Sequence, residues 1–464
     1  MDSETTDTIC APASGSGKAG IAVFRISGPN ALGVLRRLTG RSAFEPRRVY
    51  RAEFSDPASG EVVDDGLALY FPAPNSFTGE DVAEIHVHGG RAVAAGMLSA
   101  ITAVGGAAGG VRLAEPGEFT RRAFMNGKMD LTAAEALADL VDAETTAQRR
   151  QARRQLSGAL GDLCLDWRAR LVQAIAWFEA EIDFSDEDLP GGLAARTADE
   201  IGAIRGEIQS RLADRRTGER IRDGLRVAIV GPPNAGKSTL LNGLAGRDAA
   251  IVSATAGTTR DVIEVHLDLG GYAVILADTA GIRAPGDAPW DAPWDPIEAE
   301  GVRRAARTAE EADVRLVVLD GAAWPEVPTG AAGRAGPDDL VVLNKCDLID
   351  SGQIKGDPAG GELNPPPLPA SALHGHGMDL VVAELTRRVS RLSGGGEAPV
   401  VTRARHRAAL EQCAEALTRF DPYNSSELAA EDLRLAARSL GRVIGEIDVE
   451  DILDVIFRDF CIGK

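Results

Sequence analysis

One stretch of the sequence could bind phosphate: Gly231-Pro-Pro-Asn-Ala-Gly-Lys-Ser-Thr239, which has the G-x-x-x-x-G-K-[S/T] spacing of a phosphate-binding loop. An apolar run, Val227-Ala-Ile-Val230, precedes it, and a helix-like segment, Leu240-Leu-Asn-Gly-Leu-Ala245, follows it. In a strand–loop–helix arrangement, backbone N–H groups of the loop and of the first helical turn converge on one anion. The ammonium group of Lys237 would reach the outer phosphates, and the hydroxyl group of Ser238 would bind Mg²⁺. The other predicted contacts of this loop are Asn234, Ala235, Gly236 and Thr239.

Four more motifs follow the phosphate-binding loop in the order that a GTPase requires. Gly257-Thr-Thr-Arg-Asp261 is placed like a switch I loop, in which a threonine hydroxyl would meet Mg²⁺. Asp278-Thr-Ala-Gly281 ends an apolar run, so its aspartate would hold Mg²⁺ through water and its glycine would contact the γ-phosphate. Asn344-Lys-Cys-Asp347 ends another such run, and its carboxylate would accept both donors of the guanine Watson–Crick edge. Ser371-Ala372 would direct a backbone N–H at the guanine oxygen.

Together these five motifs, each beside a predicted strand, predict a P-loop GTPase. An ATPase would leave Asp347 without a role, because adenine lacks that pair of donors. Ile282 stands where many regulatory GTPases place a glutamine that orients the attacking water. Two residues could replace that glutamine: Glu298 could orient the water from a predicted switch II helix, and Asn234 could help bind a monovalent cation. The alternative interpretations are a solvated helix residue and a loop-capping side chain, respectively.

Strands and helices alternate around the phosphate-binding loop from about residue 225 to 392, which predicts a doubly wound sheet. The predicted strands are Val227–Val230, Val262–Leu267, Tyr272–Ala277, Val314–Leu319 and Leu340–Leu343. Helical periodicity flanks this region on both sides, and its apolar residues recur at spacings of three and four, typical of a bundle core. That stripe is Leu156, Leu160, Leu163, Trp167, Leu171, Ile175, Phe178 and Ile182. The later helical segments are Thr402–Phe420, Ser426–Val443 and Val449–Phe460.

The first part of the chain has the pattern of a separate α/β module. Its predicted strands are Ile21–Ile26, Leu67–Phe71 and Val82–Val87. The predicted fold class is therefore multidomain α/β plus all-α. An N-terminal α/β domain would span residues 1–124, and a Ras-like P-loop GTPase domain would span residues 223–393. The latter would be inserted into a helical bundle domain formed by residues 125–222 and 394–464.

Composition limits the classes of function. The chain has 464 residues with 44% hydrophobic residues, typical of globular domains. Its net charge of −19 argues against binding nucleic acid by bulk electrostatics, although a partner could hold the RNA. No apolar run approaches the length of a membrane helix. The five scattered cysteines form no metal-ligand spacing, which favours a cytoplasmic location.

The whole chain resembles the MnmE (TrmE) family of bacterial tRNA modification GTPases. The motifs that carry the resemblance are Asp7-Thr-Ile9, Phe24-Arg-Ile-Ser-Gly28, Pro74-Asn-Ser-Phe-Thr-Gly-Glu-Asp81, His88-Gly-Gly90, Pro116-Gly-Glu-Phe119, Asp183-Phe184, Gly257-Thr-Thr-Arg-Asp261 and the terminal Cys461-Ile-Gly-Lys464. The resemblance implies a homodimer whose N-terminal domain binds folate and dimerises. It also implies a heterotetramer with the FAD protein MnmG (GidA). Together they would add a carboxymethylaminomethyl or aminomethyl group to carbon 5 of the wobble uridine of certain tRNAs.

The resemblance also implies site residues. Its folate contacts fall on Arg25, Glu84, Lys128 and Lys464, for 5,10-methylene- or 5-formyl-tetrahydrofolate. Its potassium ligands fall on Asn234, Ser253, Thr255 and Thr258, and its Mg²⁺ ligands on Ser238 and Thr259. Its hydrolytic glutamate falls on Glu298. The remaining GTP contacts are Ala254, Ala256, Gly257, Thr279, Ala280, Lys345 and Leu373. Cys461 is either a covalent catalyst or a packing residue that positions the tail.

Three functions compete. The first is a GTPase whose cycle drives tRNA wobble-uridine modification. The second is a regulatory switch of the ribosome-assembly type that modifies nothing. Such a switch would be expected to carry a basic RNA-binding appendage, which this acidic sequence does not display. The third, a folate-dependent transferase with structural GTP, would not require the switch motifs. The sequence therefore favours the first.

Overall fold

The structure, a computed structural model, describes residues 7–15, 17–104, 110–183, 193–214, 216–246, 264–278, 307–325, 336, 338–349, 365–394, 399–421, 426–447, 453, 456–458, 460 and 462–463. The chain divides into two compact units. The terminal unit comprises Met1–Ala138, Leu156–Leu193 and Pro422–Lys464, and the central unit comprises Asp139–Gln155 and Ala194–Asp421. The division of the sequence into residues 1–124, 125–222, 223–393 and 394–464 stays a prediction. None of the described helices is both long and apolar enough to cross a bilayer.

A six-stranded sheet forms the first part of the terminal unit. Its strands are β1 (Thr8–Pro12), β2 (Ala19–Ser27), β3 (Tyr50–Ser55), β4 (Val62–Phe71), β5 (Val82–Gly89) and β6 (Val111–Leu113), in the order β3-β4-β5-β2-β1-β6. Only β1 and β6 pair in parallel. Helices α1 (Ala31–Thr39) and α2 (Arg91–Thr102) contribute Val34, Leu35, Met97 and Ile101 to the core of this sheet.

Helices make up most of the described chain between the two sheets. They are α3 (Glu118–Met125), α4 (Leu131–Asp142), α5 (Thr146–Leu156), α6 (Gly161–Asp183), α7 (Leu193–Leu212) and α8 (Thr217–Asp223). The predicted apolar stripe is largely confirmed as core, since Leu160, Trp167, Leu171 and Phe178 are buried. It does not follow one helix, however, because Leu156 ends α5 and Gly161 begins α6. Ile182 has no described side chain.

The central unit contains a second six-stranded sheet. Its elements are β7 (Leu225–Val230), α9 (Lys237–Ala245), β8 (Glu264–Leu269), β9 (Tyr272–Asp278), β10 (Val314–Asp320), β11 (Leu340–Asn344), β12 (Leu368–Pro369) and α10 (Met378–Leu392). The strand order is β12-β11-β10-β7-β9-β8, with β8 alone antiparallel. The predicted doubly wound sheet is confirmed. Parallel strands that are covered on both faces read as continuous apolar runs, which is why the sequence predicts them.

Two more helices, α11 (Ala404–Arg419) and α12 (Ser426–Ile444), follow the second sheet. Both lie where helical periodicity predicts them. The third predicted helix, Val449–Phe460, lies mostly outside the described residues, but Leu453, Phe457 and Phe460 are buried against Leu131 in the terminal unit.

Four cysteines are described, and none forms a disulfide. Cys10, Cys164 and Cys413 are buried, whereas Cys346 is half-buried. Burial raises the pKa of Cys10 and of Cys413 to about 12, so neither thiol is reactive at neutral pH.

Candidate functional site

The predicted phosphate-binding loop joins β7 to α9, at the carboxyl edge of the second sheet. Lys237 opens α9 and is almost fully buried. Its ammonium group donates to the carbonyl oxygens of Gly231 and Pro232, each at 2.9 Å, so it lies folded against the loop. Ser238 and Thr239 occupy the exposed side of the same helical turn. A helix N-terminus combined with a buried lysine is an arrangement that binds phosphate.

Asn344 ties the phosphate-binding loop to the loop that follows β12. Its side-chain amide donates to the Ala235 carbonyl at 2.8 Å, and its side-chain oxygen accepts from the Ala372 N–H at 3.0 Å. Because Asn344 is buried, both bonds are made away from water. One side chain therefore connects two loops that are predicted to contact different parts of a nucleotide.

Lys345 adds a second connection between these loops. Its ammonium group donates to the Asn234 carbonyl and to the Asp320 carboxylate, both at 2.7 Å. Asp320 ends β10, the strand between β7 and β11. Asn234 itself has a positive φ of 63°. The sequence predicts Asn234 and Lys345 as site residues but not Asp320, whose only signal is its position at the same edge of the sheet.

Asp347 lies beside the loop after β12, as the prediction of a guanine site requires. A hydrogen bond from the buried Ser371 hydroxyl lowers the pKa of Asp347, although partial burial opposes this effect. The carboxylate therefore stays ionised at neutral pH. Ser371 is held in turn by its N–H, which donates to the His376 carbonyl at 2.8 Å. The neighbouring Leu373 side chain is exposed. The arrangement offers an anionic acceptor for paired N–H donors.

Part of the predicted site cannot be compared with the structure. The residues outside the described part of the chain are Ser253, Ala254, Thr255, Ala256, Gly257, Thr258, Thr259, Thr279, Ala280, Gly281, Glu298, Cys461 and Lys464. Asp278 ends β9 beside β7, but its side chain also lies outside the description.

A second group of predicted residues lies on the first sheet. Arg25 on β2 pairs in register with Glu84 on β5, and its guanidinium group donates to one Glu84 carboxylate oxygen at 2.9 and 3.1 Å. The same guanidinium lies 5.0 Å from the ring centre of Phe77 and 5.9 Å from that of Phe119. Both charged side chains are about one-fifth exposed, at 21% and 18%. An accessible ion pair between aromatic rings is suited to a flat, polar ligand.

Lys128 contacts the loop that contains Phe77. Its ammonium group donates to the Pro74 carbonyl at 2.9 Å. Phe77, Phe119 and His86, whose Nε2 lies 3.5 Å from a Glu84 oxygen, were missed by the sequence analysis. Phe77 and Phe119 belong to motifs that carry the family resemblance, but their positions near Arg25 depend on the loop after β4 and on α3. His86 lies beside Glu84 because alternate residues of β5 share one face of the sheet.

A buried ion network supports this loop from within the terminal unit. Arg122 is almost fully buried and its guanidinium group bonds to the carboxylates of Asp7, Glu80 and Glu118 at 2.8 to 3.2 Å. Glu80 also accepts from the Ser27 hydroxyl at 2.7 Å, which joins the loop to the end of β2. The network therefore holds the loop against the strand that carries Arg25.

The end of the chain also reaches this sheet. Gly463 is buried, with φ at 103°, and a Cβ atom built on it would lie 2.0 Å from the Pro12 carbonyl oxygen. Only a glycine permits such close approach of the tail to β1. Pro12 pairs with Phe24, the residue before Arg25. The terminal tail therefore packs next to the strands that carry the Arg25–Glu84 pair.

Comparisons with known proteins cover both units. Residues 8–128 match the family model described as GTP-binding protein TrmE N-terminus, and residues 131–461 match the MnmE helical domain. A tRNA modification GTPase MnmE of Paramagnetospirillum magneticum is 57% identical over 459 residues, which cover 99% of this chain and 100% of that protein. Those of Parvibaculum lavamentivorans and Rhodospirillum rubrum are 55% and 51% identical, with the same coverage. The two sheets, the phosphate-binding loop and these whole-length matches agree: the chain belongs to the MnmE family of tRNA modification GTPases.

Proposed function

We propose that GTP hydrolysis by this chain drives the addition of a carboxymethylaminomethyl or aminomethyl group to carbon 5 of the wobble uridine of certain tRNAs. A reduced folate, 5,10-methylene- or 5-formyl-tetrahydrofolate, supplies the one-carbon unit. The observation that carries the proposal is the packing of Gly463 against Pro12. Gly463 thereby lies beside the sheet of Arg25 and Glu84, in the unit that does not hold the nucleotide motifs, which supports a role for the terminal motif at this sheet.

The nucleotide site has the groups that GTP and Mg²⁺ require. Lys237 exchanges its two loop carbonyls for phosphate oxygens, and Asp347 accepts the guanine N–H donors. Ser238 and Thr259 would hold Mg²⁺, which would neutralise charge on the phosphates. Asn234, Ser253, Thr255 and Thr258 would hold K⁺, which would supply the positive charge that an arginine finger supplies in other GTPases. Glu298 orients the attacking water.

Arg25, Glu84 and Lys128 fit the chemistry of a folate. Arginine and lysine complement the glutamate carboxylates of folate, and a carboxylate complements the N–H donors of its pterin ring. The existing Arg25–Glu84 pair satisfies both charges, and its exposure leaves both accessible to a ligand. Lys464 supplies a further cation from the tail.

Cys461 has two proposed roles, which one variant distinguishes. Its thiolate attacks an electrophilic one-carbon unit or carbon 6 of the uridine, as activated thiols do in covalent catalysis. Alternatively, it packs and positions the tail. Cys461→Ser is expected to abolish modification and keep GTP hydrolysis, because the two chemistries use different units. Full modification by Cys461→Ser would leave only the structural role.

The chain acts as a cytoplasmic homodimer with tRNA as its substrate. It forms a heterotetramer with the FAD protein MnmG (GidA). A net charge of −19 makes the chain alone a poor ligand for RNA, so the partner supplies much of the RNA-binding surface.

The test is nucleoside analysis of total tRNA from a strain that lacks the chain and is complemented with variants. The native chain and Glu53→Gln, a change at an exposed position of β3, should restore the modified wobble uridine. Glu84→Gln should not, although its GTP hydrolysis should be normal. Unmodified wobble uridine in the presence of an active native GTPase would favour a regulatory switch of the ribosome-assembly type.

A further inference from the structure

The loop after β12 carries a histidine that the proposed function does not use. The Nε2 atom of His374 lies 3.7 Å from Oδ2 of Asp347. The backbone N–H of His374 donates to the Ser371 hydroxyl at 3.4 Å, which anchors the loop beside the base site. The imidazole is half-exposed, with 52% of its side-chain surface accessible, so solvent can exchange protons with it.

The other charged groups near this pair are accounted for. Lys345, two residues before Asp347, directs its ammonium group to Asp320 rather than to Asp347. On the loop itself, the ring of His376 lies 6.2 Å from that of His374, and its charge acts on Asp347 less strongly than that of His374 does. Cys346 is the remaining titratable neighbour, and burial raises its pKa, so it is neutral. Among the described residues, His374 is therefore the cationic group closest to the Asp347 carboxylate.

Guanine and a protonated His374 would compete for the same oxygen. Guanine recognition uses both oxygens of Asp347, one for N1–H and one for the exocyclic amine. A separation of 3.7 Å is too long for a hydrogen bond but within the range of an ion pair. We propose that His374 is a proton-dependent competitor for Asp347 that lowers affinity for guanine nucleotides when protonated. This inference rests on the proposed role of Asp347 in the guanine site.

The size of the effect follows from the exposure of the pair. Solvent-exposed ion pairs have small free energies, which correspond to a roughly two- to fivefold change in an equilibrium constant. GDP affinity should therefore fall about two- to fivefold between about pH 8 and about pH 5, the range in which histidine side chains can change charge. High salt should reduce the change, since the pair is exposed.

The experiment measures GDP dissociation constants for the full-length chain at these two pH values and constant ionic strength. Native protein is compared with His374→Asn and with His376→Asn, a matched change on the same loop. The phosphates of GDP also titrate near pH 6, but their contribution is the same for all three proteins. The expected result is a larger loss of affinity at low pH for the native protein and His376→Asn than for His374→Asn.

Three outcomes would overturn the proposal, and they are distinguishable. Equal pH dependence in native and His374→Asn protein, with tight GDP binding in both, would refute the role of His374 alone. A native chain that shows no preference for GDP over ADP would refute the guanine site itself. A smaller loss in the native protein than in His374→Asn would show that the imidazolium assists binding, contrary to the proposal.

Discussion

Single residues in the nucleotide site serve two loops at once. Asn344 bonds to Ala235 on one side and Ala372 on the other, and Lys345 bonds to Asn234 and Asp320. Because Asn344 is buried, leaving either of its two hydrogen bonds unmade would cost about 1–3 kcal/mol. We therefore expect Asn344 and Lys345 to affect nucleotide binding through loop positions, whereas Asp347 would contact the base directly.

Asp347→Asn should change the preferred base. The variant presents an amide donor where guanine has its own donors, whereas xanthine offers an acceptor there. Affinity for GTP should fall roughly tenfold or more, since charge-assisted bonds are lost, and affinity for xanthosine nucleotides should rise. Competition binding with both nucleotides measures this. Unchanged GTP affinity would remove Asp347 from the base site.

A substitution of Asn234 tests whether a monovalent cation takes part in GTP hydrolysis. Because Asn234 has a φ of 63°, glycine is the substitution that removes its side chain without straining the loop. Native protein should hydrolyse GTP faster in K⁺ than in Na⁺ at equal ionic strength. Asn234→Gly should lose that difference and still bind GDP. A native rate that is the same in both salts would show that no cation acts there.

At the scale of elements, the hairpin of β8 and β9 connects the nucleotide motifs to α5 within the central unit. The N–H of Ala147, in the first turn of α5, donates to the Gly271 carbonyl at 2.9 Å, so the hairpin turn satisfies a donor that the helix cannot. His266 on β8 lies 3.6 Å from Glu144. The hairpin lies between the two predicted switch segments in the sequence, so we expect these contacts to connect that part of the chain to α5.

The hairpin turn should tolerate no side chain. Gly271 has a φ of 91°, so Gly271→Ala should destabilise the protein by about 1–3 kcal/mol. Gly202→Ala is the matched control, because Gly202 lies within α7 with no atom within 4 Å of its added Cβ. That change should stabilise the helix by up to about 1 kcal/mol. The free energies of unfolding of the two variants are compared by urea titration, with loss of GDP binding as the signal. Equal free energies would contradict the turn geometry.

At the scale of the whole molecule, the sequence predicts the elements that have a local pattern or motif. It does not predict the contacts between residues that are distant in sequence. The apolar run Leu340–Leu343 predicts β11, and the observed strand is buried along its whole length, which is why its sequence is apolar. The strand β3, with only Phe54 buried, has no such signal, and β6 is too short to have one. Motif order likewise predicts Asp347 and Ser371. The Lys345–Asp320 and Arg25–Phe77 contacts depend on strand pairing and loop placement, which one sequence does not contain.

The ion network of the terminal unit should make it sensitive to acid. Burial alone would raise the pKa of Glu118, but the hydrogen bonds from Arg112 and Arg122 outweigh it, so the net pKa is lowered. Burial and the same two arginines likewise give Asp7 a lowered pKa. A carboxylate whose pKa is lower in the folded state than in the unfolded state stabilises the fold at pH values above its unfolded pKa, which is about 4. That stabilisation is lost as the pH falls through the folded pKa.

Arg122→Met should remove this stabilisation and reverse its pH dependence. Its buried carboxylates would lose their shared partner, at a cost of about 3–5 kcal/mol at neutral pH, and mild acid should then restore part of the stability. Arg51→Met is the control, since the Arg51–Asp65 pair is exposed and should contribute less than about 1 kcal/mol. Urea unfolding at neutral pH and near pH 4 measures both. Equal losses in the two variants would show that burial of the network is unimportant.

The burial of the cysteines determines which thiols can react with an added electrophile. Maleimides react with thiolates, so Cys10 and Cys413, with pKa values of about 12, should survive labelling at neutral pH. Among the described residues, Cys346 is the accessible thiol, and its slow alkylation next to Asp347 should report whether a nucleotide covers it.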